Sequence, residues 1–527
     1  MKFRTNPDRF NDASSHKESA PSKSSASFDL VIAGGGASGV LAALVACDEG
    51  LSGKSIAIIE KEETLLRKVR ASGNGRCNLA NMGSISGRYH GRHPHFVRGA
   101  FSRVTPEMLL SYFRSIGLIT TSDEEGRVYP RSMQANSVVL TLTRALDERS
   151  IEVYTEKQLV RISREASRFL LDLSDGTSWD TRALVITSGG PAAPNLGGDS
   201  SGLRLLMSLG HTCETPLPAL VPLELRRHPL LQKAEGVRFR GQAYFENREG
   251  VCSETVSGEF LITSYGMSGI AAMELGRAVS MAVASALDHP SSERTLGLAA
   301  SRSGTSSLDH SSTERMIGLA ASRSDTSDLD HSSTEGMAGH AVSMTGGTLP
   351  YYSLKERAID HHNERQSEER SCSNGWIGDL VIDFLPEFSE EELVSFFYMQ
   401  SCTVRTMADR WRVVLAGLIP AKIADALLAV LPEPLAPDTV ARMIKTLRLP
   451  VMGTRGFDYA QVTAGGITTQ DFDPRTLESY KVPRLFAAGE VLDIDGDTGG
   501  FNLMWAFSSG MLAGTSAARA LQKKEAD

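Results

Sequence analysis

The chain has 527 residues, of which 41% are hydrophobic and 22% are charged, a composition that excludes a disordered or fibrous protein. The length allows about three to four domains. A net charge of −8 argues against nucleic acid as a partner because phosphate contacts require a basic face, and six scattered cysteines without a close pair indicate a reducing, cytoplasmic location and no metal site.

The N-terminal residues 1–27 are rich in Ser, Lys and Asn, which predicts a disordered tail. Residues 28–33, 37–49 and 55–60 then read as strand, helix and strand, the start of a parallel α/β sheet. The apolar run is interrupted by glycines at fixed offsets, which favours this interpretation over a membrane anchor, so no membrane partner is expected.

A G-x-G-x-x-G sequence joins this first strand to the helix. Gly34 allows a tight turn, Gly36 lets backbone approach a pyrophosphate, and Gly39 lets helix and strand pack closely. Ala37 and Ser38 begin the helix, whose N-terminal N–H groups are predicted to face the phosphates. Glu60 ends the second strand, followed by Lys61, and is placed to accept hydrogen bonds from the adenosine ribose. The segment therefore predicts a dinucleotide site.

Three further segments resemble ligand-binding turns. Residues 182–187 and 484–488 read as strands that end in glycine turns, where open α/β sheets bind ligands, and a helix to about residue 521 follows the second. A glycine pair before that helix points its N–H donors at an anion, such as the pyrimidine edge of a reduced flavin. The candidate residues are Lys68, Ser72, Gly73, Gly75, Arg76, Cys77 and Asn78, then Gly189 and Gly190, then Gly489, Glu490, Asp493, Gly499, Gly500, Phe501 and Asn502.

The middle of the chain has a different sequence pattern. Residues 217–260 alternate in polarity as antiparallel strands do. Ser389 to Glu392 matches a capping box, and 422–431 continue an apolar helical stripe. A 21-residue repeat also occurs, with Leu-Asp-His at 287–289, 308–310 and 329–331. Its polar composition favours a solvated surface insertion over a solenoid or a metal site, and we assign it no function.

These segments together resemble the BaiN/YhiN-like NAD(P)/FAD-dependent oxidoreductases, also called the aminoacetone oxidase family. The motifs that carry the resemblance are Ser-Gly-Asn-Gly-Arg-Cys-Asn at 72–78 and Ala-Gly-Glu-Val-Leu-Asp at 488–493 with Gly-Gly-Phe-Asn at 499–502. The resemblance covers most of residues 28–520 outside the repeat. The chain departs from the family pattern at Ser264 and Ile270, where His and Pro are usual.

The resemblance implies a Rossmann-type α/β FAD-binding domain that is split in sequence, with an inserted antiparallel, barrel-like β domain and a helical subdomain. The expected boundaries are 28–215 and 459–522 for the FAD domain, 216–386 for the inserted domain with repeats at 276–338, 387–448 for the helical subdomain, and 449–458 for a return strand. FAD is the expected cofactor, with NAD(P)H as a transient co-substrate.

The function expected from these features is an FAD-dependent reductase or dehydrogenase acting on a small organic molecule. A flavin amine oxidase using O2 and a non-catalytic FAD protein that recruits a partner through its repeat are the alternatives. No catalytic acid or base follows from spacing alone. Cys77 has no second cysteine nearby, so packing or flavin contact is favoured over a dithiol mechanism.

Overall fold

The computed structural model describes residues 25–288, 375–400, 407–431 and 434–523. In chain order, the strands of these residues are β1 (Ser25–Ala33), β2 (Ile56–Ile59), β3 (Ala80–Asn81), β4 (Tyr89–His90), β5 (Thr120–Ser122), β6 (Arg127–Pro130), β7 (Glu152–Tyr154), β8 (Leu159–Glu165), β9 (Arg168–Leu173), β10 (Ser178–Ile186), β11 (Cys213–Ala219), β12 (Leu223–Leu225), β13 (Arg238–Asn247), β14 (Val256–Thr263), β15 (Gly266–Ser268), β16 (Gly378–Asp383), β17 (Leu447–Thr454), β18 (Val462–Ile467), β19 (Leu485–Ala487) and β20 (Asp495–Gly496).

The helices of the same residues surround these strands. They are α1 (Ala37–Asp48), α2 (Arg67–Ala71), α3 (Phe96–Phe101), α4 (Pro106–Ser115), α5 (Ala135–Glu148), α6 (Ser201–Ser208), α7 (Pro229–Lys233), α8 (Ile270–Glu274), α9 (Gly276–Asp288), α10 (Glu390–Gln400), α11 (Met407–Ala416), α12 (Ala421–Leu428), α13 (Pro437–Lys445) and α14 (Phe501–Gln522). None of these described helices is long and apolar enough to cross a membrane.

The central sheet has the order β7-β2-β1-β10-β9-β8 and is parallel across its first four strands. β10 pairs antiparallel with β9 in its first half and parallel with β19 in its second. β2 and most of β1 are apolar and buried, as expected for parallel strands covered on both faces. The C-terminal segment thus completes the sheet that the N-terminal segment begins, and the predicted split Rossmann-type α/β fold is confirmed.

The first helix and the last helix pack closely because α14 presents glycines to α1. A Cβ added at Gly510 would lie 2.2 Å from the backbone oxygen of Ser38, and one at Gly514 would lie 2.2 Å from that of Ala42. These two small residues, one helical turn apart, let the backbones approach without a side chain between them. The contact holds the start of α1 against the C-terminal segment of the chain.

The inserted segment forms a closed antiparallel barrel in the order β12-β15-β14-β13-β16-β17, as the fold prediction expected. Helices α10 to α13 lie between β16 and β17 in sequence. The predicted capping box begins α10: Ser389 N donates to Glu392 Oε2 at 2.8 Å, and Glu392 N donates to Ser389 Oγ at 3.1 Å. The domain boundaries given above stay predictions.

Two expectations about order need correction. Residues 25–27 are not part of a disordered tail, since Ser25 and Ala26 pair with Ser178 and Trp179 in β10; residues 1–24 lie outside the described part. The start of the repeat segment, 276–288, is not a solvated loop but helix α9, in which Val279 is buried and Ser280 Oγ donates to Pro218 O at 2.7 Å. The rest of the repeat lies outside the described residues.

Candidate functional site

A cavity of about 1260 Å³ opens at the carboxyl ends of β1, β2 and β10. Open parallel sheets bind their ligands at this edge, where successive strands diverge to different helices. The cavity continues from the glycine turn after β1 to residues of the inserted barrel segment, including Arg240 and Glu274. One space therefore joins a dinucleotide-type cradle to the barrel.

The three glycines of the first turn have different surroundings. Gly34 has φ of 115°, and its N–H donates to Ile59 O at 2.8 Å. A Cβ at Gly39 would lie 1.9 Å from Gly34 O and 2.7 Å from Thr187 Oγ1, whereas a Cβ at Gly36 would meet nothing within 4 Å. Gly39 therefore fills a packing role inside the protein, and Gly36 faces the open cavity, where Ala37 and Ser38 present the unpaired N–H groups of the first turn of α1.

Glu60 anchors the cavity wall after β2. Its Oε2 accepts from Gly35 N at 2.7 Å and its Oε1 accepts from Glu62 N at 2.9 Å. Burial raises the pKa of Glu60, and the hydrogen bond from Gly35 opposes this rise. Each carboxylate oxygen has two lone pairs, so the side chain keeps acceptor capacity for hydroxyl groups in the cavity.

Lys61 lines the cavity beside Glu60, and its ammonium group pairs with Asp199. Burial of Asp199 works against its ionisation, but the hydrogen bonds from Lys61 and Ser201 outweigh burial and hold the pKa of Asp199 below its ordinary value. Lys61 is thus committed to a protein partner at the cavity edge.

Helix α2 and the turn after β19 meet at the cavity wall. Lys68 Nζ lies 3.0 Å from Glu490 Oε2, and Glu490 Oε1 accepts from Thr463 N at 2.7 Å. Ser72, Gly73, Arg76 and Asn78 also line the cavity, and so does Gly189 after β10. Residues far apart in sequence therefore share one wall.

The start of α14 also lines the cavity, next to the segment that contains Asn78. Gly499 and Gly500 have φ of 99° and 106°, in the left-handed region that favours glycine. A Cβ at Gly500 would lie 2.4 Å from Ala80 O. Phe501 and Asn502 line the cavity, and the Asn502 side chain holds the preceding turn through Gly496, accepting from its N at 2.8 Å and donating to its O at 2.7 Å.

The residues of the cavity fit a bound FAD. Asn78 and Ser188 are residues of the cavity wall, and the Oδ1 of Asn78 and the Oγ of Ser188 are buried without a hydrogen-bond partner among the described residues. Such orphaned polar atoms are costly unless a ligand satisfies them. The unpaired N–H groups at the starts of α1 and α14 face the same space and suit the phosphates and an electron-rich ring edge.

Six predicted site residues do not line the cavity. They are Gly39, Gly75, Cys77, Gly190, Gly489 and Asp493. Cys77 is fully buried, and this burial raises the pKa of its thiol to about 11, so it is not a thiolate at neutral pH. Asp493 is also buried and accepts from Arg92 N at 2.7 Å, while Gly489 N donates to Ser509 Oγ at 2.9 Å. The contacts of Cys77, Asp493 and Gly489 therefore lie within the protein, whereas Gly75 is exposed to solvent.

A cluster of polar residues that the sequence analysis did not identify lies where the cavity reaches the barrel. Glu274, at the end of α8, accepts a hydrogen bond from Thr498 Oγ1. The neighbouring Asp497 is held by Arg88 NH1 at 3.1 Å and by His90 Nε2 at 2.6 Å. Burial raises the pKa of Glu274 and the negative charge of Asp497 raises it further, whereas the hydrogen bonds from Thr498 and the charge of Arg88 partly oppose this rise.

Little in the sequence pointed to this cluster. Asp497 and Thr498 directly precede the glycine pair that begins α14, and polar residues next to such a turn were the one available signal. Glu274 belongs to the segment between β15 and β16, far from every motif, and only folding brings it to Thr498.

The chain matches a known protein family over most of its length. The model of the HI0933-like protein Rossmann domain matches residues 28–516. The chain belongs to this family. It is therefore an FAD-dependent oxidoreductase, in agreement with the resemblance seen in the sequence, and FAD is its cofactor.

Two curated relatives match the chain over nearly its whole length. The 3-dehydro-bile acid delta(4,6)-reductase of Clostridium scindens is 29% identical over 500 residues, which cover 92% of this chain and 98% of the relative. The ribosomal RNA dihydrouridine synthase of Escherichia coli is 25% identical, with 92% and 96% covered.

Solved structures with a similar fold are more distant. The 3-ketosteroid-delta4-(5alpha)-dehydrogenase of Rhodococcus jostii RHA1 is 12% identical with a TM-score of 0.41 and covers 94% of this chain and 97% of that chain. A flavocytochrome c3 fumarate reductase is 12% identical with a TM-score of 0.40 and covers 94% and 79%. Likenesses at this level say nothing about function.

Among the described residues, no group of three or more His, Cys, Asp or Glu side chains could hold a metal ion. The three Asp-His pairs of the repeat fall at 288–289, 309–310 and 330–331, where no side chain is described.

Proposed function

We propose that this enzyme reduces a carbon–carbon double bond conjugated with a carbonyl group in a small organic substrate, with NADH or NADPH as the electron donor. The names of the relatives support this reaction class. One reduces delta(4,6) bonds of a 3-dehydro-bile acid, and the other is named for dihydrouridine, the reduced form of a pyrimidine nucleoside. A hydride and a proton are added across C=C in both products. The net charge of −8 favours a small molecule over nucleic acid.

The cavity-lining part of the predicted site would hold the cofactor. Gly36, Ala37 and Ser38 would take the pyrophosphate, Glu60 the adenosine ribose, and the start of α14 the pyrimidine edge of the flavin. When bound, FAD supplies hydride transfer to carbon, which no side chain provides. The chain itself has to bind the substrate, stabilise developing charge and deliver the proton.

Glu274 is the proposed proton donor, and its position in the cofactor cavity carries the proposal. A carboxylic acid can donate only in its protonated form, and burial raises the pKa of Glu274 in that direction. The hydroxyl of Thr498 fixes the orientation of the carboxyl group. Arg88 and His90 hold Asp497 in place, and the negative charge of Asp497 disfavours loss of the proton from Glu274. The hydrogen bonds from Thr498 and the charge of Arg88 act in the opposite direction, but burial is the largest effect and the pKa is raised overall.

Positive charge on the cavity wall would stabilise the enolate that forms when hydride adds to the conjugated bond. Arg76 and Arg240 line the wall, and so do three arginines that also pair with carboxylates, Arg67, Arg88 and Arg127. A guanidinium group stays charged at any working pH and donates several hydrogen bonds to an oxyanion. The substrate carbonyl is expected to point toward one of these groups.

The test separates the two half-reactions under anaerobic conditions. NADH or NADPH should bleach the flavin, and a conjugated enone should restore the colour while it is converted to the saturated ketone. Glu274→Gln should leave the first step unchanged and slow the second by about 10²–10⁴-fold, the usual contribution of a positioned acid. Glu235→Gln, an exposed carboxylate on the barrel segment, is the matched control.

Unchanged reoxidation in Glu274→Gln would remove the acid from the mechanism. Failure of both nicotinamides to bleach the flavin would exclude them as donors. Bleaching by an amine, followed by peroxide formation with O2, would favour the amine oxidase instead.

A further inference from the structure

Three side chains stack beside the cofactor cavity, and one of them, Tyr459, lines it. The guanidinium carbon of Arg455 lies 3.9 Å from the ring centroid of Tyr459 and 4.3 Å from that of Tyr265. Arg455 Nε also lies 3.5 Å from Glu224 Oε1. The arginine is therefore held between two aromatic rings and beside a carboxylate, in a fixed orientation that supports the Tyr459 ring from one side.

Tyr459 stays accessible beside Arg455, which can cover only one face of its ring. The residue is 52% exposed although it packs on the arginine, and it lines the cofactor cavity. An exposed aromatic ring supported from behind costs little entropy to order when a second ring stacks on it. The position is thus suited to a planar group that enters the cavity.

Two polar residues lie close to Tyr459 in sequence. Asp458 and Gln461 are both exposed, and both line the cavity. A carboxylate accepts hydrogen bonds, whereas a side-chain amide both donates and accepts them. This pair complements a ring edge that carries an amide or imide group.

We propose that the open face of Tyr459 is a binding platform for a neutral planar ring with an amide edge, which Asp458 and Gln461 recognise. This inference rests on the proposed function, because it assigns a place in the cavity to a participant in that reaction. The ring is either the nicotinamide of the electron donor or a pyrimidine base of a nucleotide substrate, and both have this chemistry.

The cation behind Tyr459 also sets a preference for charge. Arg455 attracts the π electrons of the ring to one face, so the opposite face is less attractive to a second cation. A reduced nicotinamide is neutral and an oxidised one is positively charged. The carboxylate of Asp458 attracts a cation, but it is exposed and screened by solvent, whereas Arg455 lies against the ring and is largely shielded. The reduced form should therefore bind more tightly at this position, which favours release of the spent donor.

Equilibrium binding to the flavin-loaded protein tests the platform. The probes are 1,4,5,6-tetrahydro-NAD, which is neutral and cannot donate hydride, NAD⁺, and uridine monophosphate. Tyr459→Ala should weaken binding of the recognised neutral probe by about tenfold, which corresponds to about 1.4 kcal/mol. Tyr459→Phe should keep the affinity within about twofold because stacking needs the ring and not the hydroxyl.

Tyr480→Ala is the control, since Tyr480 is 65% exposed and does not line the cavity. Tyr480→Ala should match the wild type in its affinity for each probe, in its FAD content and in its thermal unfolding. Tyr459→Ala should match the wild type in FAD content and thermal unfolding only. A loss confined to tetrahydro-NAD identifies the nicotinamide as the ring, and a loss confined to uridine monophosphate identifies a pyrimidine.

The inference would be overturned if Tyr459→Ala bound every probe as tightly as the wild-type protein does. It would also be overturned if the wild-type protein bound none of the probes, or bound NAD⁺ more tightly than the tetrahydro form. These outcomes are separate from the proposed function, because they are read from equilibrium binding without turnover. Enone reduction that fails while the Tyr459 effect persists would refute only the proposed reaction.

Discussion

Two alanine substitutions in one glycine turn should have opposite effects on folding and on FAD binding. Gly36 and Gly39 are three residues apart, yet a Cβ at Gly36 meets nothing within 4 Å, and one at Gly39 would lie 1.9 Å from Gly34 O. Gly36 has φ of −79°, which alanine adopts without strain. Only the substitution at Gly39 therefore disturbs the protein itself.

The expected magnitudes follow from these distances. Gly39→Ala should lower the free energy of unfolding of the flavin-free protein by about 1–3 kcal/mol or more, because the backbone of the turn has to move. Gly36→Ala should change it by no more than about 0.5 kcal/mol, or raise it slightly by restricting the unfolded chain. The added methyl group should nevertheless keep the pyrophosphate away from the N–H groups of α1. Loss of one such charged hydrogen bond costs about 1.5–3 kcal/mol, or about 10- to 150-fold in the Kd of FAD.

Chemical denaturation of the flavin-free variants measures the first quantity, and titration with FAD measures the second. Gly36→Ala should unfold like the wild type and bind FAD weakly. Wild-type FAD affinity in this variant would show that the pyrophosphate does not lie against Gly36. A loss of stability equal to that of Gly39→Ala would show that the space in front of Gly36 is needed for folding.

Further predictions concern three titratable groups, Glu274, Glu60 and Cys77. Reoxidation by an enone should slow as pH rises through the raised pKa of Glu274, because the ionised form cannot donate a proton, and a pH–rate profile of Glu274→Gln should lack this decline. Glu60→Gln should raise the Kd of FAD by about 10- to 150-fold, measured by titration. Because the pKa of Glu60 is raised in the folded chain, the folded chain holds this proton more tightly than the unfolded chain. Glu60 should therefore lower the free energy of unfolding as pH rises above the ordinary glutamate range. Urea unfolding of Glu60→Gln should lack this pH-dependent contribution. Cys77→Ala should keep NAD(P)H-dependent flavin reduction. In the wild-type protein, iodoacetamide should label Cys77 slowly at pH 8, because a pKa of about 11 leaves about 10⁻³ of the thiol ionised.

The parts of the fold that the sequence predicted well depend on neighbouring residues. The strand, turn and helix around Gly34 and Gly39 are encoded by a short apolar run and glycine spacing, and the start of α10 by Ser389 and Glu392. The predictions were wrong where contacts with distant segments of the chain determine the local structure. Residues 25–27 have a polar composition but pair with β10, and the first residues of the repeat become helical because one side of α9 is buried.

The candidate site shows the same division. Residues that line the cavity at the ends of β1 and β2, such as Gly36 and Glu60, could be singled out because dinucleotide motifs combine turn geometry with a fixed spacing, and their contacts with FAD stay a prediction. Glu274 and Thr498 could not, since they come from different parts of the sequence and meet only when α8 lies against the segment before α14. The stack of Tyr265, Arg455 and Tyr459 likewise joins the β14–β15 turn to residues after β17. No local pattern encodes such contacts.

The most direct test of the central claim is a single turnover of the reduced enzyme with a conjugated acceptor in deuterated water without oxygen. A Δ4-3-ketosteroid and uridine are suitable acceptors, one for each relative's substrate class. The account predicts that one acceptor restores the flavin colour in proportion to saturated product, and that the product carries one deuterium from solvent at the carbon that Glu274 protonates. Flavin that stays reduced with both acceptors, but is reoxidised by O2 with release of peroxide, would contradict it.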